Sequence, residues 1–130
     1  MVIYTDAGTR KNGLPGQSSR ICVHSEYQLI LDKIIGNYSN NEAELTAIVF
    51  GLNQGATEIK TDSQIAKSWI TNGWTKHREK SFRKGRLTER HKKMIEKAHT
   101  LWLLVACPPI TWISRDFNKA GHYLETKYGI

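Results

Sequence analysis

The sequence has little cysteine, little proline and no long apolar run. Its two cysteines, Cys22 and Cys107, belong to no CxxC pair, which argues against a zinc site. We expect both thiols to be reduced and half-buried, with an incidental disulfide as the alternative. Only three prolines and no repetitive tract are present, which excludes low-complexity and collagen-like chains.

No stretch approaches the roughly 20 consecutive apolar residues that a transmembrane helix needs. The chain opens in a strand-like run with neither a basic start nor a cleavable apolar stretch, so no signal peptide is expected. These absences predict a cytoplasmic protein that has no membrane partner. A length of 130 residues suits one core, and we expect a single domain over residues 1–130.

The formal net charge of +7 is concentrated in one part of the chain. The basic segment, Lys76–Lys97, holds ten Lys and Arg against three Glu, whereas the rest has nine basic and nine acidic residues. Such a run is typical of either a solvated helix face or a surface that binds polyanions. Phe82 within the segment, with Trp69 and Trp74 before it, favours nucleic acid, because aromatic side chains among cations contact sugars and bases.

Hydrophobic periodicity predicts a mixed α/β chain. Three apolar segments predict an antiparallel meander: MVIYTD, RICVHSE and QLILDKIIG, the first two joined by the loop GTRKNGLPGQSS. The later segments predict helix, strand, short helix, longer helix, strand and helix in turn: SNNEAELTAIVFGLNQG, ATEIKTD, SQIAKSWI, RLTERHKKMIEKAHTLWLLVA, PITWIS and NKAGHYLETKYG. The pattern leaves open whether the basic segment forms one further helix before the longer one. We expect right-handed crossovers and helices on the faces of a mixed sheet.

Two of the predicted strands end in an aspartate, at Asp6 in YTDAG and Asp62 in KTDSQ. If these strands pair in parallel, the two carboxylates lie side by side, and the intervening helix returns Glu44 to the same end of the sheet. No Lys or Arg that would neutralise them is evident. Hard oxygen ligands of this kind select Mg²⁺ or Mn²⁺. Taken alone, each acid suits a turn, an N-cap or a first helical turn; the combination predicts a metal.

Four short motifs in series resemble type 1 ribonuclease H: TDAG, NNEAEL, TDSQ, and WISR followed by NK and a helix. The resemblance covers essentially the whole chain, with the element types in the expected order. It implies a ribonuclease H-like fold of the α/β (mixed α+β) class, with a five-stranded mixed sheet of order 3-2-1-4-5 flanked by helices.

The resemblance also implies roles for individual residues. Asp6 would bridge two metal ions, Mg²⁺ or Mn²⁺, while Glu44 binds one of them and Asp62 the other. Glu42, which does not match the catalytic position, is left as a surface residue. The implied minor-groove contacts are Asn40, Asn41 and Gln64, whose alternative role is capping and turn formation. The implied contacts to the DNA strand are Lys76, Arg78, Lys80, Arg83, Lys84 and Arg86.

The implied activity is hydrolysis of the RNA strand of an RNA/DNA hybrid, with two metal ions per site when substrate is bound. Products would carry 5′-phosphate and 3′-hydroxyl ends. We expect a monomer without an organic cofactor. One alternative is a hybrid- or RNA-binding module with the same fold and a degenerate site. Another is a different nuclease of the superfamily, a junction resolvase or an exonuclease domain, against which NNEAEL and the short length argue.

The fourth site position departs from the family pattern N-x-x-A-D-x-L. Matching Asn118 and Leu124 places His122 where the pattern has aspartate. His122 could be a nitrogen ligand or water-mediated contact to the second metal, or a general acid near the leaving group. Alternatively, Glu125 or Asp116 supplies the missing carboxylate. A further alternative is a surface histidine in a disabled enzyme.

The histidine that often precedes the last helix in the family has no obvious counterpart in WISRDFN, where Arg115 and Asp116 stand. His122 would partly cover for that loss. We predict activity that survives His122→Asp and is abolished by Asp6→Asn.

Overall fold

The structure, a computed structural model, describes residues 1–9 and 18–130. Within these residues five strands form one mixed sheet: β1 Val2–Thr9, β2 Ser19–Ser25, β3 Leu29–Gly36, β4 Glu58–Thr61 and β5 Ile110–Trp112. The pairs β1–β2 and β2–β3 are antiparallel, and β1–β4 and β4–β5 are parallel. The order β3-β2-β1-β4-β5 confirms the predicted fold class and strand order. Most of the predicted loop after β1 lies outside the described residues.

Five α-helices flank the sheet in the described part of the chain: α1 Asn40–Asn53, α2 Gln64–Asn72, α3 Lys76–Arg83, α4 Glu89–Leu104 and α5 Lys119–Tyr128. A single 3₁₀ turn, Arg115–Phe117, precedes α5. Each α-helix starts after a polar N-cap whose side chain accepts a hydrogen bond from a backbone N–H: Ser39, Ser63, Thr75, Thr88 and Asn118. Thr75 caps α3 and Thr88 caps α4, so the basic segment contains two helices, and the further helix that the sequence left open is present.

The sheet is covered on both faces. On one face Ile3 and Ile59 pack in a core with side chains of α1, α2 and α4, including Ile48, Ile70 and Ile95. On the other face Tyr4 and Cys22 pack against Ala120 and Leu124 of α5. Fully burying one Ile or Leu side chain contributes about 1.5–3 kcal/mol. Across residues 1–9 and 18–130, no helix is both long and apolar enough to cross a bilayer.

The two cysteines differ in burial. Both are free, but Cys22 is buried and Cys107 is exposed, so the expectation that both are half-buried is wrong. Cys22 lies in β2, which is covered on both faces, whereas Cys107 lies in the turn after α4 with φ 53°. Burial raises the pKa of the Cys22 thiol to about 12.

An ionic hydrogen-bond cluster fixes the end of α5 across the sheet. Asp32 of β3 accepts hydrogen bonds from Arg20 Nη1 at 2.6 Å, from Tyr123 Oη at 2.8 Å and from Tyr128 Oη. Burial alone would raise the pKa of Asp32, but the bonds from Tyr128, Arg20 and Tyr123 lower it below its usual value. The cluster therefore holds α5 against β2 and β3, with the first turn of α5 beside Thr5 and Asp6 of β1.

Candidate active site

Asp6, Glu44 and Asp62 come together at one edge of the sheet. β1 and β4 run parallel with Thr5 paired to Thr61, so the following residues, Asp6 and Asp62, emerge side by side. Glu44 reaches the same place from the second turn of α1. One carboxylate oxygen of each acid lies within 4.8 Å of the others. The convergence expected from the strand endings is therefore present.

Hydrogen bonds orient two of these carboxylates. Asn118, the buried N-cap of α5, donates from Nδ2 to Asp62 Oδ2 at 2.9 Å and to the Thr5 carbonyl at 3.0 Å. The Ala7 backbone N–H donates to Glu44 Oε1 at 3.3 Å. Asn118 thus joins the start of α5 to β1 and to Asp62, and β1 itself orients Glu44.

One cation already lies among the carboxylates. Arg115 of the 3₁₀ turn donates from Nη1 to Asp6 Oδ2 at 2.8 Å and approaches Asp62 Oδ2 at 3.5 Å. The interpretation that no Lys or Arg neutralises these charges is therefore wrong. Arg115 is distant in sequence from the three acids and meets them only because the turn between β5 and α5 folds over this edge of the sheet. The arginine of the WISR motif was the one signal in the sequence that could have indicated it.

The site also keeps carboxylate oxygens without partners. Among the described residues, Asp6 Oδ1 and Glu44 Oε2 are buried and accept no hydrogen bond. Burial raises the pKa of Glu44 well above its usual value, and the negative charge of Asp6 adds to this effect. Burial likewise raises the pKa of Asp6. A buried polar atom without a partner costs about 1–3 kcal/mol. This oxygen donor set fits Mg²⁺ or Mn²⁺, which would compensate both atoms.

Glu42 is not a surface residue, contrary to the interpretation from the sequence. Its side chain is buried and forms a capping box, in which the Ser39 N–H donates to Glu42 Oε1 at 3.0 Å and the Glu42 N–H donates to Ser39 Oγ at 3.2 Å. Arg90 Nε lies 2.9 Å from Glu42 Oε2. The S-x-x-E spacing in SNNE is the sequence signature of this cap.

The structure does not bring His122 into the carboxylate group. Its exposed side chain lines a cleft beside Lys60 and Trp112. The α5 residue that packs directly on Asp6 is Gly121, where an added Cβ would lie 3.1 Å from Asp6 Oδ2. Gly121 and His122 are consecutive on α5, so their side-chain directions differ by about 100°, and Gly121 is the one that faces Asp6.

The two carboxylates considered as replacements, Asp116 and Glu125, are exposed and also lie outside the group. Asp116 belongs to the 3₁₀ turn, and Glu125 lies one turn beyond Gly121 on α5. The described residues therefore offer three carboxylates, and not four, at this position.

The three residues expected in the minor groove lie at the same edge of the sheet. Asn40 and Asn41 form the first positions of α1, and Gln64 is the first residue of α2, two residues after Asp62. Asn40 and Gln64 are exposed, and Asn41 is partly exposed. Because Ser39 and Ser63 cap the two helices, these residues are not the caps that the alternative interpretation required.

The cations of the basic segment differ in their exposure to solvent. Lys76, Lys80, Arg83, Lys84 and Arg86 are exposed. Arg78 is instead half-buried and tied into the fold, because its guanidinium donates to the Gly73 carbonyl and to Ser68 Oγ, both at 2.7 Å. The geometry therefore supports a structural role for Arg78, unlike its exposed neighbours.

The two tryptophans near the basic segment, Trp69 and Trp74, differ in their surroundings. Trp69 is 7% exposed and belongs to the core. Trp74 packs edge-on against Phe82 with ring centroids 6.1 Å apart, and its Nε1 donates to Glu79 at 2.7 Å. The Lys92 ammonium lies 5.7 Å from the centres of both rings. Aromatic and basic groups are thus interleaved at the junction of α3 and α4.

The RNase H family model matches residues 1–107. The chain belongs to the RNase H family. The part that matches the RNase H model contains all three acids of the site and ends before β5, Arg115 and α5, which is where the sequence departs from the family pattern. The predicted resemblance to type 1 ribonuclease H is confirmed. A sequence comparison with curated proteins gave no match.

Solved structures show the RNase H fold at low identity. RNase H1 from the halophilic archaeon Halobacterium salinarum NRC-1 is 22% identical, with a TM-score of 0.58 over 95% of this chain and 92% of that one. LC11-RNase H1 in complex with RNA/DNA hybrid is 20% identical, with a TM-score of 0.63 over 95% and 91%. The foamy viral protease-reverse transcriptase in complex with dsDNA is 20% identical, with a TM-score of 0.58 over 99% and 94%.

Proposed function

We propose that this protein is a metal-dependent endonuclease that hydrolyses the RNA strand of RNA/DNA hybrids. The observation that carries the proposal is the three-carboxylate group, in which Asp6 and Glu44 are buried and each keeps one unpartnered oxygen, in a chain of the RNase H family. The hybrid-bound complex of LC11-RNase H1, a structure of similar fold, supports the substrate class by analogy.

The ligands for the metal are the three carboxylates. Asp6 and Glu44 would hold one divalent ion, and Asp6 and Asp62 a second one when substrate is bound. Bound Mg²⁺ or Mn²⁺ supplies a lowered pKa for the attacking water and stabilises charge on the leaving oxygen. Asn118 and the Ala7 N–H keep two of the carboxylates oriented before the substrate arrives. Products would carry 5′-phosphate and 3′-hydroxyl ends.

The substrate surface would extend along the same edge of the sheet. The exposed amides of Asn40 and Gln64, with Asn41, suit contacts to base edges and 2′-hydroxyls, which distinguish RNA from DNA. The exposed cations of the basic segment suit phosphates of the other strand, and they would contribute salt-dependent affinity with little sequence preference.

The decisive experiment incubates the protein with end-labelled RNA/DNA hybrid and Mg²⁺ or Mn²⁺ in turn. We expect cleavage of the RNA strand, none in EDTA, and none of duplex DNA or a DNA junction. Asp6→Asn is the inactive control. Junction cleavage would instead indicate another nuclease of the superfamily, and failure to cut a hybrid with either metal would reject the enzyme.

A binding module without cleavage is the second candidate. It is favoured by the contact of Arg115 with two of the carboxylates and by the absence of a fourth acid at the site among the described residues. This candidate predicts that the protein binds the hybrid tightly and leaves it intact with both metals.

A further inference from the structure

Arg115 divides the carboxylate group into two unequal sides. We infer that Arg115 is a built-in cation on the Asp6–Asp62 side, so that the substrate-free protein binds one divalent ion and accepts a second only after Arg115 moves away. The inference rests on the proposed metal site and adds to it a control on the order in which cations occupy it.

The partners of each oxygen support this division. Asp6 Oδ2 accepts from Arg115 at 2.8 Å, and Asp62 Oδ2 is shared between Arg115 at 3.5 Å and Asn118 at 2.9 Å. By contrast, Asp6 Oδ1 and Glu44 Oε2 accept nothing within the described residues. The two oxygens of Asp6 therefore face different conditions: one is already bound to a cation, and the other is buried and unpartnered.

The surroundings of Arg115 allow the guanidinium to leave. Its side chain is 43% exposed, and its other hydrogen bond is a long one, 3.4 Å, from Nη2 to the Ile130 carbonyl. Gly121 makes the room beneath it, because an added Cβ there would lie 3.4 Å from Arg115 Cζ and Nη1. The group that holds the guanidinium most closely is thus the buried carboxylate of Asp6.

A second metal ion and the guanidinium exclude one another. Both are positive and both use Asp6 and Asp62, so mutual repulsion weakens the second metal site while Arg115 is present. A phosphate of the substrate offers Arg115 another anion, to which a guanidinium binds through two parallel hydrogen bonds. Arrival of the substrate would therefore release the second side for metal.

Isothermal titration with Mn²⁺ alone tests the inference without any substrate. We expect one binding event per wild-type chain and two for Arg115→Gln, with the second site tightened by about tenfold or more. Lys33→Gln, which removes one positive charge from an exposed position on β3, is the matched control and should behave as wild type. Equal stoichiometry and affinity in wild type and Arg115→Gln would overturn the inference.

A measurement on the wild-type chain covers the case in which Arg115→Gln does not fold. The Arg115 Nε–Hε NMR signal should stay in place during addition of the first equivalent of Mg²⁺ and shift only at higher concentration. A full shift at the first equivalent would overturn the inference. If no metal binds to either chain, the proposed metal site itself fails, whereas one ion on both chains refutes only the role of Arg115.

Discussion

The carboxylate group and the basic segment hold charge in opposite ways. Asp6 is completely buried and Glu44 is 3% exposed, and the positions of both follow from strand pairing and helix packing. The basic segment carries more charge, but most of its cations are exposed on α3, on α4 and on the turn between these helices. Under the proposed function, catalysis would depend on a few side chains that the fold fixes in place, whereas affinity for the hybrid would be spread over many exposed cations.

The largest expected effect is the loss of cleavage, without loss of hybrid binding, when Asp6 of the carboxylate group is changed. Asp6→Asn keeps the shape of the side chain but removes the charge shared by both sides of the site, so we expect the cleavage rate to fall by about 10³-fold or more. Affinity for the hybrid, measured by fluorescence anisotropy in Ca²⁺, should stay within about twofold, because the exposed cations supply it. Asp116→Asn is the control for an acid outside the group. Wild-type cleavage by Asp6→Asn would contradict the metal assignment.

The next effect concerns the exposed cations. Changing Lys76, Lys80, Arg83 and Lys84 together to Gln should weaken hybrid binding, because each cation that neutralises a phosphate releases counterions. The slope of log affinity against log salt should become shallower by about 0.9 for each phosphate that is no longer neutralised. Cleavage at saturating hybrid should be nearly unchanged. A large fall in the saturated rate with unchanged affinity would show that this region does more than hold the substrate.

Arg78 should behave as an exception within the basic segment. Its two hydrogen bonds join α3 to the end of α2, so Arg78→Ala should lower the free energy of unfolding by about 1–3 kcal/mol. Lys76→Ala, at an exposed position of the same helix, should change it by less than about 0.5 kcal/mol. Urea denaturation measures both values, and equal values would refute the structural role of Arg78.

The Asp32 carboxylate should make the stability of the fold depend on pH. Its pKa is lowered in the folded protein, so the unfolded chain binds the proton more readily and the Asp32 cluster stabilises the fold above the usual pKa of 3.8. This stabilisation is lost as pH falls through the lowered pKa. Asp32→Asn should therefore be less stable than wild type near neutral pH, and the difference should shrink in acid. Thermal unfolding between about pH 2 and 7 measures it.

The smallest expected effect is at His122. Because its side chain is exposed and outside the carboxylate group, His122→Asp should retain activity within a few-fold of wild type. Initial rates on the hybrid in Mg²⁺ and Mn²⁺ check this. A decrease as large as that of Asp6→Asn would mean that His122 reaches the reacting groups after all.

The sequence allows prediction of those parts of the site that depend on backbone periodicity. Asp6 and Asp62 could be paired because both strands were predicted to end at these residues, and Glu44 because a crossover returns to the same edge. Only β4 ends there; β1 continues past Asp6 to Thr9, so the predicted end of the first strand is wrong. Arg115 could not be placed in this way, since its contact with Asp6 depends on how α5 docks across the whole sheet. His122 shows the same limit, because a rotation of about 100° per residue separates facing the site from facing solvent.

The wrong prediction that Glu42 is a surface residue has a different cause. Its capping box with Ser39 is a local feature with a known spacing, so the information was present in four consecutive residues. The second glutamate of NNEAEL matches the catalytic position of type 1 ribonuclease H, whereas the first matches no family position and has its role only in the cap. A family match therefore explains the residues it names, and the others still need an interpretation from their own chemistry.

The unequal burial of the two cysteines gives the native chain a single addressable thiol. A maleimide fluorophore should react at Cys107 and spare Cys22, whose thiol is buried and has its pKa raised to about 12. The dye would sit at the turn between α4 and β5, close in sequence to the strand that leads to Arg115. The proposed hybrid binding could then be tested optically, with no engineered label site.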